Sequence, residues 1–160
     1  MTRLLLYMLA FSLASSAYAG TAVVFPDYEK FKDSGGHDFL VESSVPGAFK
    51  TPEGVVAAML VLGEQVKNKE LTAPFNPDVL KGSSAFEGAL PLASYFRGAR
   101  IKGRTFIVSF SEGAMRYLSS TAAIQQVVKG AIEGTLRKNF PKIEAVKYEI
   151  DGKIVDAWDA

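Results

Sequence analysis

Ser120–Ile150, STAAIQQVVKGAIEGTLRKNFPKIEAVKYEI, holds a helix, its stop and a strand in one run. Ile124, Val127, Val128, Ala131, Ile132, Thr135 and Leu136 recur at the three-and-four spacing that lines one helix stripe. Gln125, Gln126, Lys129, Glu133, Arg137 and Lys138 form the opposite face, which reads as solvated. Hydroxyls at Ser119, Ser120 and Thr121 can receive the unpaired amides of the first turn, and Arg137 and Lys138 suit the negative end of the dipole. Pro141 has no amide hydrogen and turns Phe140 away from helical angles, so the helix stops there. From Ala145 the period falls to two, with Val146, Tyr148 and Ile150 on one side of a strand and Lys147 and Glu149 on the other.

Beyond this run, Asp151-Gly152 is a two-residue hairpin signal because both residues tolerate positive φ. Upstream, Leu92–Ile101 reads as a strand interrupted by a bulge at Gly98 and turned by Lys102-Gly103. The return, Arg104–Phe110, is the most β-prone stretch, and Ser111–Ser119 is a loop to the helix. In the first half, Ala22–Phe25 and Phe39–Val45 read as strands flanking a charged loop over 28–38. Thr51-Pro52-Glu53 opens a second helix with a hydroxyl cap, a proline at the first helical position and an early acid. Its apolar face runs through Val55, Val56, Met59, Leu60, Leu62, Gly63 and Val66, and Asn68-Lys69 closes it. Residues 71–91 carry Phe75, Val79, Leu80, Phe86 and Leu90 among prolines, glycines and serines, as expected of a connection tucked along a domain edge.

The first nineteen residues fall outside this scheme. Arg3, the apolar run Leu4–Leu13 and Ala17-Tyr18-Ala19 before Gly20 compose a secretory signal peptide, with the run too short for a settled membrane span. The expected product is exported, periplasmic or extracellular. With no cysteine in the chain, lipid anchoring at cysteine, disulfides and thiol catalysis are excluded. The chain counts 18 basic and 17 acidic side chains, and removal of Arg3 leaves 17 of each, so no net field recruits nucleic acid or an anionic membrane. About 140 residues remain, which suits one domain over 20–160.

Strand, strand, helix, hairpin, helix, strand and a further short strand imply an α+β fold with a single mixed β-sheet and two helices packed on one face. Ile107-Val108-Ser109-Phe110-Ser111, Ala131–Leu136 with its Thr135-Leu136 pair, Phe140-Pro141, Val146–Ile150 and Asp151-Gly152 follow one another in a distinctive order. In that order and spacing the chain resembles the sporulation and spore-germination domain family, the GerMN domain. Val24-Phe25 and the Thr51-Pro52 helix fit the family's earlier half. The chain departs from it at Leu60-Val61-Leu62-Gly63-Glu64, where members often show Leu-Leu-x-Gly-Pro. The resemblance implies a module of bacterial envelope proteins with no established catalytic residues, acting in assembly or in binding at the cell wall.

No cofactor or metal is expected. The single histidine, His37, has no second histidine or cysteine to complete a metal site. A serine triad would require His37 to reach a serine such as Ser111, and no Gly-x-Ser-x-Gly elbow is present. Glu112 and Glu87 lie in loops, where a carboxylate pair for glycan hydrolysis could face a cleft. The other reading is binding. Tyr95, Phe96, Arg97, Arg100, Lys102 and Arg104 gather aromatics and cations around the hairpin, fit for carboxylates or sugar rings unless the rings turn into the core. Met115, Tyr117 and Leu118 make a second apolar patch, which either binds or plugs the end of the fold. The expectation is a noncatalytic envelope module that binds a protein partner or peptidoglycan, with self-association through a sheet edge allowed. The alternative is a small secreted cell-wall glycan hydrolase.

Overall fold

A computed structural model describes residues 20–63, 75, 77 and 84–155. Among these residues six strands and four α-helices follow in order: β1 (Thr21–Pro26), α1 (Tyr28–Asp33), β2 (Leu40–Val45), α2 (Pro52–Gly63), β3 (Phe96–Lys102), β4 (Thr105–Phe110), α3 (Met115–Leu118), α4 (Ala122–Asn139), β5 (Ala145–Ile150) and β6 (Lys153–Val155). The fold is α+β. Its strands, however, divide between two sheets instead of the single one expected: an antiparallel β1-β2 ribbon and a mixed sheet ordered β3-β4-β5-β6.

The split traces to α4. Thr121 caps it by accepting from the Ile124 amide at 3.4 Å, and it ends where Phe140-Pro141 requires. One flank of this helix meets the ribbon. A Cβ on Gly134 would lie 3.3 Å from Val24, and one on Gly130 would lie 3.5 Å from Leu40, so two glycines one turn apart let the strands come close. Thr135 Oγ1 accepts from the Val24 amide at 2.9 Å, and Asn139 Nδ2 donates to the Ala22 carbonyl at 2.7 Å. Helix side chains thus satisfy the β1 edge where another strand would have paired, each bond contributing about 1 kcal/mol net. The other flank faces the larger sheet, with Phe140 edge-on to Phe106 at 5.5 Å and Glu133 over Tyr148.

Between these layers lies the core: Val23 and Phe25 of β1, Met59 and Leu60 of α2, Phe106, Val108 and Phe110 of β4, and Ile132 and Leu136 of α4. Phe75 and Phe86 reach into it from the long connection, as a tucked segment requires, whereas Leu90 stays exposed. Val79 and Leu80, the α2 end expected at Asn68-Lys69 and the proposed signal peptide lie outside the described residues.

Three local expectations change. The charged 28–38 loop contains α1, capped by Asp27, which accepts from the Lys30 amide at 3.0 Å. Leu92–Tyr95 forms a single 3-10 turn, so the strand starts only at Phe96, and its register slips before Gly98 as the bulge predicts. Ser111–Ser119 holds a 3-10 turn and α3. Short helical turns of this size lack the length for a periodic signature.

Both hairpins obey their turn chemistry. Gly103 has φ +62 at the first central position between paired Lys102 and Thr105. Asp151 at +46 and Gly152 at +81 fill the two positive-φ positions between paired Ile150 and Lys153.

Candidate functional site

The larger sheet carries described helices on one face only. Because side chains alternate, Phe106, Val108, Phe110 and Tyr148 enter the core, while Arg100 of β3, Thr105, Ile107 and Ser109 of β4, and Lys147 and Glu149 of β5 share the outer face. Ser109 and Glu149 are register partners across the parallel β4-β5 pair. Glu149 receives Arg100 at 2.6 and 3.2 Å and the Ser109 hydroxyl at 2.8 Å, and Arg100 Nη1 also reaches Ser109 Oγ at 3.1 Å. Donation by Arg100, then by Ser109, holds the Glu149 carboxyl below the ordinary glutamate range, and Glu149 in turn raises the Arg100 guanidinium. Beside this row lies an open depression of about 320 Å³ bounded by Lys102, Thr105, Ile107, Lys147 and Ile154.

At its hairpin end the sheet meets the stop of α4. Arg104 pairs with Glu144 at 2.6 Å, and the Arg104 carbonyl accepts from the Glu144 amide at 2.9 Å, pinning the 140–144 connector to the turn. The connector and β3 enclose an apolar depression of about 290 Å³, lined by Ile101, Phe140, Pro141 and Ile143 with Asn139 and Lys142. Ile101 is 46% exposed there, a large share for an isoleucine.

The residues expected to bind therefore separate. Arg97, Arg100 and Arg104 are exposed along the hairpin, but Arg100 and Arg104 are each tied to a glutamate, and Arg97 donates to the carbonyls of Ser94 and Phe96. Tyr95 is turned inward: its ring fills the space over Gly113, where a Cβ would lie 2.1 Å away, and its hydroxyl accepts from the Leu90 amide. Tyr117 plugs the fold and offers no binding surface, being fully buried, edge-on to Phe86 and donating to the Leu90 carbonyl at 2.8 Å. Met115 borders a separate open depression of about 440 Å³ with Glu112, Ile150, Asp151, Lys153 and Val155.

Within that depression the Glu112 amide donates to the Asp151 carboxylate at 3.2 Å. Glu112 thus has Asp151 as its acidic neighbour, and Glu87 is held elsewhere, its carbonyl accepting from Arg116. Both Glu112 and Asp151 are exposed. His37 is exposed too, in a turn where Ser34 Oγ bonds both its amide and its carbonyl. Among the described residues no three His, Cys, Asp or Glu side chains gather as a metal site would need.

The polar face of α4 is the part that periodicity misjudged. Gln125 is buried and donates to the Ser120 carbonyl. Lys129 and Glu133 line a groove of about 310 Å³ with Ala145–Tyr148 and Val155. Burial raises the Glu133 carboxyl and lowers the Lys129 amine, and burial followed by Glu133 pushes the Tyr148 phenol well up. The available signal was Gly130-x-x-x-Gly134, which marks a second packed flank and so a narrower wet face.

Comparison with family models, curated proteins and solved structures returns no match.

Proposed function

We propose that this chain is a noncatalytic docking module of the bacterial cell envelope, which holds a protein partner or peptidoglycan through the outer face and hairpin end of its larger sheet. One observation carries the reading: a four-stranded sheet with described helices on one face only, whose other face presents an ordered Arg100–Ser109–Glu149 row beside the lysine-bordered depression. Rigid strands hold these groups in place, so little ordering entropy is lost on binding. The family resemblance and the signal-like first nineteen residues support an envelope setting. Among the described residues no helix is long and apolar enough to cross a membrane.

The test is co-sedimentation of residues 20–160 with purified peptidoglycan sacculi, with the supernatant assayed for released fragments. Pelleting without release, weakened by Lys102→Glu, supports wall docking. Failure to pellet moves the reading to its protein-partner arm. Released fragments would overturn the noncatalytic assignment and direct mutagenesis to Glu112 and Asp151.

A further inference from the structure

β3 is an outer strand of the larger sheet, with β4 on one side and no described strand on the other. In a two-residue hairpin the closing residues exchange both ladder bonds, so the Lys102–Thr105 pair leaves the next residue, Ile101, turning its amide and carbonyl outward. No described group bonds either atom. The Ile101 side chain, on the core side of the strand, forms one wall of the apolar depression with Phe140, Pro141 and Ile143. An unpaired strand edge and an apolar pocket therefore adjoin at one residue. The free charge around it is positive: Glu144 is taken up by Arg104 and Glu53 lies further along β3, beside Gly98, whereas Lys102 and Lys142 are exposed and have no carboxylate partner among the described residues, and Arg97 meets backbone carbonyls.

We propose that the hairpin end of β3 is a strand-addition site for an extended acidic peptide. The peptide pairs its backbone with Ile101, seats one apolar side chain among Ile101, Phe140, Pro141 and Ile143, and sets carboxylates beside Lys102 and Lys142. Main-chain bonds supply affinity in this mode of recognition, and the pocket supplies selectivity. A second copy of the chain fits poorly, because antiparallel pairing of two β3 edges would join two strands that each carry Arg97, Arg100 and Lys102 and no acid. The inference rests on the docking reading above and names its ligand.

The probe is a fluorescent synthetic peptide alternating Glu and Val about a central Leu, titrated into residues 20–160 and followed by anisotropy and by amide hydrogen exchange. Binding with slowed exchange at the Ile101 amide is expected. Ile101→Pro, which removes that N–H at an exposed edge, should weaken binding about tenfold or more. Lys142→Glu, far from the core, should weaken it similarly, and a peptide with proline at alternate positions should not bind. No binding by the acidic peptide, or equal binding by its proline or lysine counterpart, overturns strand addition. In that event sacculus pelleting lost in Lys102→Glu but kept in Ile101→Pro would leave the docking reading standing alone.

Discussion

Two glutamates sit on opposite sides of β5, and the fold treats them in opposite ways. Glu149, on the strand's outer side, accepts from Arg100 and Ser109 and is held below the ordinary carboxyl range. Glu133 reaches the inner side from α4, over the Tyr148 ring, and is pushed up by burial although Arg137 stands 3.8 Å away and Lys129 also faces it. What separates them is the quality of their donors. Glu149 has lost much of its water too, with 15% of its side chain exposed, but Arg100 and Ser109 replace it with short hydrogen bonds; Glu133, 34% exposed, has Tyr148 Oη at 3.5 Å and Arg137 at 3.8 Å, and there burial prevails.

The largest break in this symmetry is expected from Tyr148, whose ring fills the inner side at 3% exposure. Tyr148→Ala should cost about 3–5 kcal/mol in urea denaturation, as for other large aromatic truncations. Glu149→Ala, its neighbour, should cost under about 1 kcal/mol. Equal costs would mean that the two faces are not differently packed.

A double-mutant cycle of Arg100→Met and Glu149→Gln comes next. Its coupling should be weak and shrink in high salt, because half of the Arg100 side chain is exposed. Coupling that persists in high salt would show that Ser109 and the sheet desolvate the pair.

The smallest effect is in titration, read from the carboxyl carbon shifts of both residues. Glu149, depressed in the fold, contributes stability that is present above its unfolded value and is lost as pH falls through its folded value, below 4.5. Glu133, raised in the fold, opposes folding while ionised, and that penalty fades as pH falls through its folded value toward 4.5. Glu133 should therefore protonate first on acidification. Arg100→Met should move Glu149 upward, and Lys129→Met should move Glu133 further up; the reverse order of titration would break the comparison.

Much of the architecture was legible in local pattern. The α4 stripe, its Thr121 cap, the Phe140-Pro141 stop, the period-two β5 and the Asp151-Gly152 turn each depend on neighbours in sequence, and each stands where its pattern put it. The candidate site was legible only in part. Arg97, Arg100 and Arg104 lie on the hairpin as expected, yet which of them are paired depended on Glu149 and Glu144, forty to fifty residues away. Tyr117 looked available because a short loop has no period to show that its residues point inward. The apolar depression has no local signature, because Ile101 and Ile143 belong to separate elements that the β4-β5 pairing, Phe106 on Phe140 and the Arg104–Glu144 contact bring together.

By itself the sequence determined the two long helices, the strands and their order, the stop of α4 and the α+β class, because those follow from spacing, caps and turn residues acting over a few positions; α1, α3 and the 3-10 turn at Leu92–Tyr95 it did not show. Tertiary structure alone decided that the strands form two sheets, that α4 presents a second packed flank to the ribbon through Gly130 and Gly134, and that two glutamates acquire opposite proton affinities. Those outcomes depend on what lies across the chain from each residue, and desolvation and close approach have no local sequence period.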